Sequence, residues 1–203
     1  MKAVLISIQP RWCERIAAGD KTDEIRKNSP KLPVPFKCYI YQSKTLWGYP
    51  ILRYLGRMDL LEKLEIGKGK VIGEFICDTV TPVTVDNAKK LERTSCVSLR
   101  EMWKYAAPKS IFDLKAWRIS NLVVYKKPKK LNTFRNPCAE YTKDDPHCGR
   151  CDYYLSMGEY PAECACEGAK PMIRPPQSWC YVDELRCTES VPIFFWGGRV
   201  KWR

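Results

Sequence analysis

Ala18-Gly19-Asp20-Lys21-Thr22-Asp23-Glu24-Ile25-Arg26 is the stretch whose reading decides the fold. Upstream, Lys2–Ile8 is a short run of apolar and β-branched residues, the composition of a strand. Gln9-Pro10 closes that run, and proline suits the first turn of a helix. From Arg11 to Ala18, Trp12 and Ile16, joined by Cys13 and Ala17, recur at helical spacing. Gly19 then ends the helix, since glycine takes the left-handed cap without cost. Lys21–Lys27 continues as an extended segment with Ile25 as its buried position. Glu24 and Arg26 are two apart, so in a strand they face the same side. A carboxylate between two cations reads in two ways. It is a salt-bridge network of purely structural use, or it is the polar floor of a cleft. On the second reading Arg26 offers a planar fork to a phosphate or a base edge. Lys21 supplies a mobile cation there, and Glu24 accepts from an exocyclic amine.

Further strands follow in Phe36–Gln42, Val71–Thr81 and Ala116–Tyr125, the last broken near Ser120-Asn121. Ile51–Leu64, Asp86–Arg93 and Ser98–Ala106 read as helices; Ser98 with Glu101 three residues on is a capping box. Lys126–Lys130 (KKPKK) reads as a basic connector, and Ser178–Leu185 returns to strand character. Sustained strand–helix alternation is missing, which argues for an α+β fold or a small barrel over parallel βαβ winding.

The 203 residues carry a formal charge of +12, unevenly placed. Residues 1–130 hold 26 Lys and Arg against 13 Asp and Glu, a net of +13, whereas residues 131–203 hold 9 against 10. That asymmetry suits a polyanionic partner, most simply nucleic acid; the plain alternative is a basic surface kept for solubility. A hydrophobic share of 45% supports a packed core and excludes a disordered tail. The opening run is too short for a leader and no stretch is apolar for the length of a membrane helix, so a cytoplasmic location is expected.

The chain resembles the ASCH domain, a branch of the PUA-like superfamily, whose hallmark G-x-K-x-x-E-x-R is met at Gly19, Lys21, Glu24 and Arg26. The entry LISIQPRWCERIAAG and the segments CYIYQS, VIGEF and AWRISNLVVY resemble the family's barrel strands in their order. RPPQSWCYV at 174–182 resembles a closing segment of ASCH proteins from Gram-positive bacteria and their phages. The resemblance implies a PUA-like small β-barrel with two to three flanking helices over residues 1–135. A Cys-rich insertion at 136–173 follows, then a closing strand and aromatic tail at 174–203. It also implies RNA or a nucleotide-like ligand bound in a cleft at Lys21, Glu24 and Arg26. Tyr41, Ser43, Lys44 and a base-stacking Trp117 or Trp47 are further candidates for its lining.

Two other functions stay open on the sequence. One ASCH branch hydrolyses a modified cytidine and uses a threonine where this chain has Glu24, and a ribonuclease has been described in another. Lys21 and Glu24 are then the catalytic candidates, with Glu74 a further carboxylate that is more simply an outward strand position. The third reading is a phage-derived protein that engages a host protein partner.

Seven of the eleven cysteines fall in the last 73 residues, and the single histidine, His147, lies among them. Histidine-driven catalysis is therefore disfavoured. The pattern Cys138-x9-Cys148-x2-Cys151-x12-Cys164-x-Cys166 suggests a structural zinc site, with His147 able to replace one thiolate. Free thiols or a redox Cys148–Cys151 pair are the alternatives. The zinc reading predicts about one zinc per purified chain, and chelation should raise hydrogen exchange in 136–173 while the barrel strands stay protected. Metal-free protein equally protected in that segment would reject it.

Overall fold

The computed structural model describes residues 2–136 and 171–185, together with the backbone of a short hairpin, Phe195–Trp196 against Arg199–Val200. In chain order the elements are β1 (Lys2–Ile8), α1 (Pro10–Ala18), β2 (Asp23–Arg26), β3 (Phe36–Gln42), α2 (Pro50–Tyr54) and α3 (Met58–Ile66). They continue with β4 (Val71–Cys77), β5 (Val80–Pro82), α4 (Ala88–Ser95), α5 (Leu99–Ala106), β6 (Lys115–Arg118), β7 (Ser120–Lys129) and β8 (Trp179–Asp183). The expected α+β class holds. A five-stranded sheet runs β7-β4-β3-β1-β8, and a three-stranded sheet runs β2-β6-β5. Within the larger sheet β1 and β3 are parallel and the other neighbours antiparallel.

Strand β1 is buried on both faces, which is why it reads as an almost continuous apolar run. Val4, Ile6 and Ile8 point to one face, where they pack with Ile40, Phe75 and the inner residues of α1, α2 and α3. Ala3 and Leu5 point to the other, against Tyr39, Tyr41, Phe134, Met172 and Val182. The smaller sheet has a core of its own, in which Ile25 and Ala116 meet Leu91, Met102 and Ala106 from α4 and α5.

Several expectations are met in local detail. Gly19 caps α1 with φ 86°, and the Ser98–Glu101 capping box opens α5. Ala116–Tyr125 divides into β6 and β7 in different sheets, with Asn121 at φ 48°, a conformation asparagine tolerates better than most residues. Ile51–Leu64 folds as two helices rather than one, because Gly56 turns the chain at φ 65°. Lys126–Lys129 is not a connector but the end of β7; Pro128 is tolerated because β7 is an edge strand and can lack an N–H on its outer side.

The chain leaves the described part at Asn136 and re-enters at Pro171, where a bridge between Arg135 and Pro171 joins the two points. The Cys138–Cys166 cluster and His147 lie outside the described residues. Among the described residues no helix is long and apolar enough to cross a membrane.

Gly73 sits in the middle of β4, where the register with β7 shifts. A Cβ there would stand 2.3 Å from the Val123 carbonyl oxygen, a backbone atom that cannot step aside. Gly73→Ala should therefore destabilise the fold by about 1–3 kcal/mol in urea unfolding, whereas an alanine at the open position Gly48 should not.

Candidate functional site

The Lys21–Arg26 stretch is fixed by where its two flanks are held. Gly19 turns the chain out of α1, and β2 pairs with β6 so that Glu24 lies opposite Trp117. This drives all three charged residues inward. Lys21 is 2% exposed, Glu24 5% and Arg26 8%. Lys21 Nζ donates to the carbonyls of Asp23 at 3.0 Å and Ser95 at 2.7 Å, and lies 3.1 Å from Glu24 Oε2. That last contact is a charge pair, and the buried Glu24 Oε2 makes no further hydrogen bond among the described residues. Arg26 Nη2 lies 3.0 Å from Glu24 Oε1 and donates to the Ser7 carbonyl at 2.7 Å; Nη1 reaches Ser178 Oγ at 3.3 Å. Its Nε–H is buried without an acceptor. The cluster holds two cations and one anion, an excess of one positive charge.

This cluster floors a cavity of about 660 Å³. Trp12 of α1, Tyr105 of α5 and Trp179 of β8 supply aromatic walls, and Gln9, Asn28 and Gln177 supply amides. Arg11 and Lys27 add positive charge and Glu101 a negative one. Arg11 stacks 4.2 Å over the Trp12 ring and reaches across to Glu101 Oε1 at 3.4 Å, tying α1 to α5. Partial burial pushes the Glu101 carboxyl up, but hydrogen bonds from the Ser98 N–H and hydroxyl, with the Arg11 guanidinium, outweigh it and hold the group below its usual range.

The two readings of the motif are thus not exclusive: one set of side chains is both a buried ion-pair network and a cavity floor. Other candidates separate from it. Trp117 is fully buried, edge-on to Phe36 at 5.8 Å and 5.9 Å from Trp179, so it has no free face for a base; it supports Trp179 from behind. Tyr41 is buried on the opposite face of the main sheet with Val71 and Tyr125, and burial pushes its phenol up. Ser43 and Lys44 leave the end of β3 outside the cavity lining, although Ser43 N donates to the Ile8 carbonyl at 2.9 Å. Trp47 donates its indole N–H to the buried Glu14. Glu74 is engaged by Lys37 and the Tyr125 hydroxyl. No group of three or more His, Cys, Asp or Glu among the described residues is placed to hold a metal.

The sequence sets Trp12 at helical spacing with Ile16 and does not single out Tyr105, Trp179 or Gln177 for the site. Tyr105 and Trp179 come from elements about 80 and 150 residues beyond the motif, which no local spacing connects to it. The resemblance of RPPQSWCYV to a closing segment was the one available signal.

No family model matches the chain, and no curated protein matches it. Among solved structures, the chain is similar to the ASCH protein from Zymomonas mobilis at 15% identity and a TM-score of 0.45, over 90% of this chain and 88% of that one. It is similar at a TM-score of 0.46 to a Tyr-to-Phe variant of that protein, with 14% identity over 91% and 92% of the two chains. A Ser-to-Ala variant gives a TM-score of 0.46 with 15% identity over 90% and 89%.

Removing Glu24 strands two buried cations. Glu24→Ala should cost about 3–5 kcal/mol in urea unfolding, as expected when one member of a buried ion pair is lost. Loss of Glu101, which is partly exposed, should cost far less. A wild-type midpoint for Glu24→Ala would show that water enters the floor.

Proposed function

We propose that the chain binds RNA or a nucleotide-like ligand in the cavity above Lys21, Glu24 and Arg26. The observation that carries this reading is the floor itself. It sets an excess positive charge, Lys21 and Arg26 against Glu24, beneath a cavity with three aromatic side chains in its walls. A charge excess beside aromatic walls fits a ligand that carries both an anionic group and a flat ring. Nucleotides have that profile: a flat ring to stack on Trp12, Trp179 or Tyr105, ring edges with donors and acceptors, and an anionic phosphate for Arg11 or Lys27. The +13 charge of residues 1–130 favours a polyanion approaching this part of the chain.

A hydrolase or ribonuclease reading draws less support from the same wall. The Lys21 ammonium is committed to two carbonyls and Glu24, so it lacks the freedom of a proton carrier or nucleophile. Position 24 carries no hydroxyl. A role as a protein-binding factor has no comparable feature behind it in the cavity.

Because Trp12 and Trp179 line the cavity, uridine 5′-monophosphate should change tryptophan fluorescence saturably, and the affinity should fall as salt rises from about 50 to 200 mM. Arg26→Lys keeps the charge and removes the fork that fixes the floor, and under conditions where its circular dichroism matches wild type it should weaken binding about tenfold or more. A signal unaffected by millimolar nucleotide, or binding indifferent to both salt and Arg26→Lys, would overturn the proposal.

A further inference from the structure

The cavity opens at one end of the five-stranded sheet, and that end is chemically unlike the other. β1 finishes there at Ile8, which lines the cavity. The neighbouring strand ends follow in a continuous backbone seam. Ile8 is in register with Gln42, and Ser43 N donates to the Ile8 carbonyl at 2.9 Å. Gln42 exchanges hydrogen bonds with Gly69 and Lys70, at 2.9 and 3.0 Å, where β4 begins. Val71 is in register with Lys129 at the end of β7. Along this seam stand Lys44, Lys68, Lys70, Lys129 and Lys130, against one carboxylate, Glu65, which pairs with Lys68. The opposite end of the sheet is mixed in charge: Asp78, Asp183 and Glu184 stand there with Lys2 in register with Asp183, with Arg135 beside it, and with Lys37 paired to Glu184 at 3.0 Å. A surface made basic only for solubility has no reason to gather one sign at one end of the sheet and mix both at the other.

The lysines are also placed to present charge outward. Lys44 is exposed, and its aliphatic stem lies on the Gly69 turn, where a Cβ would come within 2.8 Å of its Cε. Gly69 has φ 74°, so the turn needs glycine twice over, for its backbone and for the lysine packed on it. Lys129 stands 5.2 Å over the Tyr125 ring. Lys130 is exposed. With strands about 4.8 Å apart, the seam from β1 to β7 spans roughly 14 Å, room for a few nucleotides beyond the one in the cavity.

Building on the proposed nucleotide site, we infer that the ligand is a single-stranded nucleic acid rather than a free nucleotide. Its terminal nucleotide enters the cavity, and its phosphates run along Lys44, Lys70, Lys129 and Lys130. Sequence readout stays in the cavity; the row contributes sequence-independent affinity through release of counterions from the strand.

The test compares uridine 5′-monophosphate with oligouridylates of increasing length, on wild type, on a Lys70→Gln/Lys129→Gln variant, and on a Lys89→Gln/Lys90→Gln variant that removes the same charge from the exposed face of α4. Affinity should rise at least tenfold from the mononucleotide to the longer strands. The row variant should lose most of that gain and lower the salt slope by roughly 1.4, about 0.7 per phosphate contact, with the loss confined to the oligomers. The α4 variant should behave as wild type. Affinity independent of length would overturn the inference and leave the cavity reading standing, and so would equal losses in the two variants. Oligomers that bind with the expected lysine dependence, but without a mononucleotide response or any effect of Arg26→Lys, would uphold the row and overturn the cavity as the nucleotide site.

Discussion

The guanidinium of Arg26 is the contact on which the rest of the arrangement depends. Its fork spans Glu24 from its own strand, the Ser7 carbonyl at the end of β1 and the Ser178 hydroxyl just before β8. The smaller sheet is thereby fastened to two strands of the larger one through a single side chain. A lysine could not do this, because an ammonium is a point charge without a planar set of donors. Arg26 also has to be charged and buried at once, and Glu24 makes that affordable. Lys21 on the far side of the carboxylate is held by two carbonyls, one from β2 and one from the end of α4. The three side chains therefore connect both sheets and a helix.

Such a network is an inefficient way to hold a fold together. Burying three charges carries a desolvation cost that well-packed apolar residues would avoid. The remainder of the core has no such need: its two faces of β1 are filled with aliphatic and aromatic side chains at close packing. A charged floor retained beneath a cavity is best understood through what the cavity receives. The aromatic walls and the latch of Arg11 against Glu101 point the same way. They place polarizable rings and adjustable charge around a site whose base is rigid.

Charge on this molecule works at two depths. On the proposed reading the floor acts at short range, where low dielectric strengthens each contact and geometry discriminates among ligands. The lysines at the strand ends act in water, where salt screens them and discrimination is slight. One sheet end brings the two together because β1 and β3 are parallel: both deliver their C-termini to the same side, next to the start of β4. An antiparallel β1–β3 pair would have sent Ser43 and Lys44 to the other end, away from the other lysines of the seam.

The sequence by itself determined much of the local structure. Pro10 and Gly19 bound α1, Ser98 and Glu101 open α5, alternation marks β3, and β-branched and aromatic residues mark β4; each of these rests on forces acting within a few residues. It also located the floor, since Lys21, Glu24 and Arg26 lie within one short extended segment. Only the tertiary structure decided whether that segment was buried, and which residues stand around it. The sequence offers Trp117 or Trp47 for stacking and does not single out Trp179, yet pairing of β6 with β2 and β5 encloses Trp117, while the position of Trp179 at the start of β8 leaves it in the cavity wall. Likewise KKPKK carries the same charges in a loop or a strand. Its pairing with β4 sets Lys129 beside Val71, in line with residues more than fifty positions earlier. Strand order is a property of contacts between distant segments, set by how the whole chain buries its apolar faces, and short-range pattern does not encode it.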